Sequence, residues 1–120
     1  MAKKNKTTDT FLLHEDNRRI LIEWLQNTNI CSIKSIIMKS NNVVGGHYHK
    51  KKDEIFFLIQ GTANKVIIGT DEQVNINAPF KWKVSSNVYH LFDLQKGSIL
   101  LCASTTAFDP NDDFAGPPRS

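Results

Sequence analysis

Apolar residues in this chain fall into short runs separated by turn-forming residues, the pattern of β-strands rather than helices. The runs predict strands over Arg18–Trp24, Cys31–Met38, Glu54–Ile59, Lys65–Gly69, Gln73–Ile76, Phe80–Val84, Val88–Phe92 and Ser98–Ala103. Turn signals lie between them at Asn41-Asn42, Gly45-Gly46, Gly61-Thr62, Gly69-Thr70-Asp71, Asn77-Ala78-Pro79, Ser85-Ser86-Asn87 and Lys96-Gly97. One stretch, His14 to Gln26, invites a helical reading. Its apolar positions, Ile20, Leu21, Ile22, Trp24 and Leu25, fit neither a 3.6-residue period nor strict alternation, and no helix stop follows, so a strand is expected there. Short strands recurring at this density predict an all-β sandwich or barrel.

The 120 residues suit one domain. We expect it over residues 10–110, with a polar, lysine-rich, disordered tail over 1–9 and an irregular C-terminal tail over 111–120, where Asn, Asp, Gly and Pro gather. The composition, 40% hydrophobic and 22% charged, is that of a globular protein. The net charge of +3 is matched by Lys3, Lys4 and Lys6 alone. The near-neutral remainder argues against a nucleic-acid partner. No apolar run approaches the roughly 18 residues that span a bilayer, and no apolar stretch follows the N-terminal lysines as in a signal peptide, so no membrane partner and a cytoplasmic location are expected. Cys31 and Cys102 lie far apart in strand-like runs and read as buried, reduced thiols.

Candidate chemistry concentrates in GGHYHKKKDEIFFLIQG, Gly45 to Gly61. Side chains two apart on a strand share a face, so His47 and His49 project together and Tyr48 points the other way. Glu54 opens the next apolar strand, with Phe56 and Leu58 on its face. If the two strands pair as a hairpin, the Glu54 carboxylate lies near both imidazoles. With His90 from the strand Val88–Phe92, three imidazoles and a carboxylate make a borderline ligand set suited to Fe, Mn, Ni, Zn or Cu. The spacing alone also permits an ordinary exposed pair of histidines.

His47, His49, Glu54 and Gly61 stand at the spacings of the first motif of the cupin superfamily, which this segment resembles. His90 is similar to the histidine of the second cupin motif. There Ser85-Ser86-Asn87-Val88-Tyr89-His90 stands for a Pro-x-Gly-x-x-His run, with Asn87 in the place of the glycine, and Asn41 replaces a glycine ahead of the first motif. The resemblance implies a double-stranded β-helix, the RmlC-like jelly-roll cupin barrel. It also implies a divalent transition metal at its mouth held by His47, His49, Glu54 and His90, and a homodimer. Ile55, Phe57 and Ile59 would then form exposed apolar surface for the dimer.

RRILIEWL near the start, the histidine segment and AFDPNDDF near the end together resemble cupins of sugar-nucleotide metabolism, including 3,4-ketoisomerases and epimerases. That resemblance implies a small-molecule, sugar-nucleotide ligand and proton transfer by His47 and His49 as catalytic residues, in several relatives without metal. Arg18, Tyr48, Lys51 and Trp82 are the corresponding candidates for substrate binding. Arg18 would grip phosphate, and Lys51 with Lys50 and Lys52 would attract an anion or merely solvate a hairpin tip. Trp82, like Trp24, would stack on the ligand or fill the core. Two other readings stay open: a metal-dependent oxygenase or lyase, and a non-catalytic cupin that binds a small ligand.

Overall fold

The computed structural model describes residues 12–116. Its strands are β1 (Leu12–Glu15), β2 (Ile20–Ile22), β3 (Ser32–Ile37), β4 (Asn42–Tyr48), β5 (Glu54–Gln60), β6 (Thr62–Ile68), β7 (Asp71–Asn77), β8 (Phe80–Val84), β9 (His90–Leu94), β10 (Ile99–Ser104) and β11 (Phe114–Ala115). A four-stranded sheet ordered β3-β10-β5-β8 packs on a five-stranded sheet ordered β11-β4-β9-β6-β7, and β1 and β2 pair separately. The described residues form no helix, and so none long and apolar enough to cross a membrane. The architecture is the all-β jelly roll of a cupin.

Register explains where polar groups gather. On the inner face of the first sheet, Leu58, Phe56 and Glu54 stand opposite Leu100, Cys102 and Ser104 on one side and Phe80, Trp82 and Val84 on the other. In the second sheet, Leu94, Phe92 and His90 stand opposite Ala63, Val66 and Ile68, and opposite Asn42, Val44 and His47. Each sheet therefore runs from apolar rows to one polar row. The apolar rows meet as a core: the Phe92 ring lies 4.7 Å from Phe56 and 5.3 Å, edge-on, from Trp82. A buried ring of this size contributes roughly 1.5–3 kcal/mol through removal from water.

Several expectations are corrected. Within Arg18–Trp24 only Ile20–Ile22 is strand. Gly45-Gly46 is not a turn but a bulge within β4, where the ladder to β9 shifts register. Turn and bulge both demand positive φ, here +88° and +80°, so the glycine signal alone does not separate them. A Cβ on Gly45 would sit 2.7 Å from the His90 carbonyl oxygen, which ties this glycine to the close approach of β9. The strands β4 and β5 do not form a hairpin: they belong to opposite sheets, and Lys50 to Asp53 cross between them. Phe57 is not exposed; it is 2% accessible, and its ring lies 4.9 Å from Trp24. Ile55 is half-buried and Ile59 exposed. Cys31 is exposed, whereas Cys102 is buried.

Residues 111–116 do not form an irregular tail. Phe114 and Ala115 pair with Tyr48 and His47 as β11. The buried Asp112 carboxylate accepts the backbone N–H groups of Lys50 and Lys51 at 2.8 and 3.1 Å. The expected tail over 1–9 lies outside the described residues.

Gly61 turns β5 into β6 at φ +97°, and a Cβ there would come within 2.6 Å of the Ser98 backbone Cα. Strained φ and overpacking each cost roughly 1–3 kcal/mol. Gly61→Ala is therefore expected to lower unfolding free energy in urea by at least ~2 kcal/mol; an unchanged midpoint and slope would contradict this.

Candidate functional site

The two polar rows face one another across a pocket of about 130 Å³. His47 and His90 stand side by side on β4 and β9, and Glu54 reaches toward them from β5 in the opposing sheet. His49 follows β4 at the start of the crossing segment. Its backbone carbonyl accepts the Asn87 N–H at 2.6 Å, and Asn87 adopts the left-handed conformation, φ 67°. That is the property for which Asn serves in place of glycine.

Three imidazole rings pack with centroids 4.6 to 5.4 Å apart. Each has its Nδ1 committed to an acceptor outside the cluster. His49 Nδ1–H donates to the Asp112 carbonyl at 2.5 Å, and His90 Nδ1–H to the Val88 carbonyl at 3.2 Å. His47 Nδ1 lies 3.0 Å from the Asp113 carboxylate. Carbonyls and carboxylates only accept, so Nδ1 carries the proton and neutral rings keep a lone pair on Nε2. The Nε2 atoms of His49 and His90 each lie 3.4 Å from Glu54 Oε1, which is buried and has no hydrogen-bond partner among the described residues.

Glu54 Oε2 is differently placed. The Lys52 ammonium lies 3.6 Å away, and the Cys102 thiol donates to it at 3.1 Å. Lys52 is itself only 4% exposed. Burial, reinforced by the Glu54 carboxylate, pushes the Cys102 thiol up in pKa, so it stays a thiol. Burial pushes His90 down to about 4, against the opposing pull of Glu54. Burial also holds His47 below the ordinary imidazole value, with the Asp113 carboxylate pulling the other way. Burial raises the Asp112 carboxyl, but the Lys50 and Lys51 amides outweigh it and leave it low.

The donor set can be tested against a metal. One ligand atom from each of His47, His49 and His90 lies within 4.8 Å of the other two. Ligands about 2.0–2.2 Å from a tetrahedral ion stand about 3.3–3.6 Å apart. The two 3.4 Å nitrogen–oxygen separations match that spacing. The tie from Nδ1–H to carbonyl or carboxylate is the arrangement that orients metal-binding imidazoles. The imidazole donors, up to 4.8 Å apart, are spread more widely than the tetrahedral spacing and would have to draw together around an ion. With Glu54 Oε1 lacking a hydrogen-bond partner among the described residues, the donor set suits a cation, either a metal ion or a proton.

The predicted site residues thus divide. His47, His49, Glu54 and His90 come together. Arg18, Tyr48, Lys51 and Trp82 do not line the pocket. Arg18 lies in the β1–β2 turn, exposed, 3.6 Å from Asp16. Tyr48 stacks on Phe114 at 5.5 Å, on the opposite face from the histidines, as strand alternation requires. Lys51 is exposed. Trp82 is core, its indole N–H donating to Gln73 at 3.0 Å. Of the lysine run expected to attract an anion or solvate a tip, Lys52 alone lines the pocket; the residues not foreseen are Cys102, Asp112 and Asp113. Alternation along Ser98–Ala103 places Cys102 on one face with Leu100, a usable signal. Nothing local shows that Asp112 and Asp113 return from far along the chain.

A family model described as polysaccharide biosynthesis C-terminal domain matches residues 14–97. No curated protein matches the chain. Among solved structures it is similar to a 3,4-ketoisomerase from Helicobacter canadensis, at 22% identity over 87% of this chain and 85% of that one, with a TM-score of 0.72. It is also similar to a mutant 3,4-ketoisomerase from Thermoanaerobacterium thermosaccharolyticum in complex with TDP-4-keto-6-deoxyglucose, at 18% identity, 87% and 83% coverage and a TM-score of 0.71. A third likeness is to a 3'-monoepimerase from Streptomyces bikiniensis in complex with dTDP-quinovose, at 12% identity, 88% and 66% coverage and a TM-score of 0.75. These likenesses establish the cupin fold.

Because the folded pKa of His90 is about 4 and an unfolded imidazole titrates near 6.5, the unfolded chain binds more protons between these values. Stability is therefore full above about pH 6.5 and falls as pH drops toward 4, by up to ~3 kcal/mol for this residue. Metal-free protein should lose urea stability across that window, and His90→Gln should lose much of the slope. An unchanged slope in the variant would contradict the assignment.

Proposed function

We propose that this chain, which belongs to the polysaccharide biosynthesis C-terminal domain family, is a cupin that binds a nucleotide-linked sugar and moves a proton between adjacent carbons of a sugar ketone. The observation that carries this reading is the His47–Asp113 pair at the pocket. His47 is the least enclosed of the three imidazoles, with its side chain 28% exposed, and its Nδ1 is fixed 3.0 Å from the Asp113 carboxylate. Burial favours the neutral ring, so Nε2 is a base at neutral pH. In the proposed step Nε2 takes the proton from the hydroxyl-bearing carbon beside the ketone. The electron pair forms the carbon–carbon double bond of an enediol, and the carbonyl oxygen takes a proton from solvent water. The imidazolium, held by Asp113, then returns its proton to the former carbonyl carbon, while the neighbouring hydroxyl gives its proton back to solvent and becomes the ketone. Lys34 and Lys52, both lining the pocket, favour an anionic ligand. Structures similar in fold hold nucleotide-linked sugars, which supports this ligand class.

A second reading is favoured by the partnerless Glu54 Oε1. In it His47, His49, His90 and Glu54 hold a divalent transition metal. When bound, such an ion supplies Lewis-acid polarisation of a substrate oxygen, as an oxygenase or lyase would use. As a homodimer, the chain would cover the outer face of the four-stranded sheet, where Ile33 and Ile37 are 64% and 65% exposed. Sedimentation equilibrium would then give twice the 13.6 kDa chain mass, and a monomer at every concentration would refute it.

The activity reading is tested by incubating the protein with TDP-4-keto-6-deoxyglucose in deuterated water and following the sugar ring by NMR. Deuterium should enter at the carbon beside the ketone, with formation of the isomeric ketone. His47→Asn should slow this at least ~100-fold, the lower bound for losing a general base. Exchange at the wild-type rate in that variant, or none with the native protein, would contradict the proposal.

A further inference from the structure

Lys52 has no role in the proton-transfer step, yet it is among the most enclosed charges in the protein. It is 4% exposed and lines the histidine pocket, and its ammonium lies 3.6 Å from Glu54 Oε2. Lysine is rarely buried unless paired. Here the pairing divides Glu54 in two: Oε2 faces Lys52 and the Cys102 thiol, and Oε1 faces His49 and His90 without a hydrogen bond. The lysine ammonium thus supplies the positive charge that the carboxylate would otherwise seek from an ion.

We infer that Lys52 is a built-in counter-ion of Glu54 that weakens divalent-metal binding at the three-histidine pocket and so leaves the imidazoles free for proton transfer. The inference rests on the metal-site reading above, because it concerns how strongly that donor set takes an ion. A divalent ion held through Oε1 would sit on the same carboxylate as the ammonium. Like charges that close repel, and within a buried pocket water and salt screen them little. Removing the lysine charge removes that repulsion and leaves Glu54 a buried carboxylate without a cationic partner, a state that destabilises the fold until a cation arrives. The donor atoms on His47, His49, His90 and Glu54 are untouched by the change.

The test titrates Zn²⁺ and Co²⁺ alone into the full chain by calorimetry at fixed pH and salt, comparing native protein with Lys52→Gln, Lys52→Met and Lys52→Arg. The neutral variants should bind one ion at least ~10-fold more tightly than the native chain, and Lys52→Arg, which keeps the charge, should stay weak. Thermal melting gives a second readout: the neutral variants should be less stable than native without metal and gain more from added metal, since binding to the native state stabilises by mass action. If Lys52→Gln does not fold without metal, Lys52→Met, which keeps lysine's unbranched apolar stem without the ammonium, carries the comparison; a metal-dependent recovery of fold in either supports the inference. Metal binding by the native chain with no gain in the neutral variants overturns the role of Lys52 and leaves the metal site standing. No binding by native or variant protein overturns both.

Discussion

The site depends on the facing of one carboxylate and three imidazoles across the gap between two sheets. Glu54 ends the inner row of β5, and His47 and His90 end the inner rows of β4 and β9. The sheets are held at that separation by the apolar rows behind them, where Phe56, Phe92 and Trp82 interlock. A one-residue slip of any of these strands would turn its functional side chain to the opposite face. Glycine-permitted geometry fixes two such registers: the bulge at Gly45-Gly46 sets His47 opposite His90, and Gly61 allows β5 to turn against Ser98.

Hydrogen bonding then converts position into chemistry. Each imidazole is tied through Nδ1 to a group that only accepts, and two of those groups, the Asp112 carbonyl and the Asp113 carboxylate, come from the segment that ends in β11. This segment closes one side of the pocket and is itself anchored by the Asp112 carboxylate on the Lys50 and Lys51 amides. The result is a pocket in which imidazole and carboxylate donor atoms share an otherwise largely apolar lining with two lysines, Lys34 and Lys52, the second beside Glu54. On the proposed reading, the balance of charge around Glu54 decides whether these donors take up a proton or a metal ion.

Much of this was legible in the residues. Most strands follow the apolar runs closely, and β8 matches its expected span residue for residue. His47, His49 and Glu54 were visible because period-two alternation and motif spacing are both local. His90 was visible through its motif, with Asn87 doing the work of the missing glycine. The expected β4–β5 hairpin failed because local pattern specifies strands and not which sheet receives them, yet Glu54 meets the histidines across the sandwich all the same. Lys52 was grouped with Lys50 and Lys51 as an anion-attracting run or a solvated tip, since a charge run does not show which member folds inward. The same limit hid Asp112 and Asp113, whose partners lie more than sixty residues earlier in the chain. Tyr48 and Trp82 were candidates by residue type, and their strand faces assign one to the outer surface and the other to the core.

His47, His49 and His90 present Nε2 lone pairs to the pocket because their Nδ1 protons are held elsewhere. Nitrogen-15 NMR of the metal-free protein near neutral pH reads this directly, since the two ring nitrogens differ in shift according to which is protonated. His47, His49 and His90 should all appear as the Nδ1–H tautomer. If His49 or His90 instead carries its proton on Nε2, pointed at Glu54, the pocket is a closed hydrogen-bonded cluster and not a proton- or metal-accepting site.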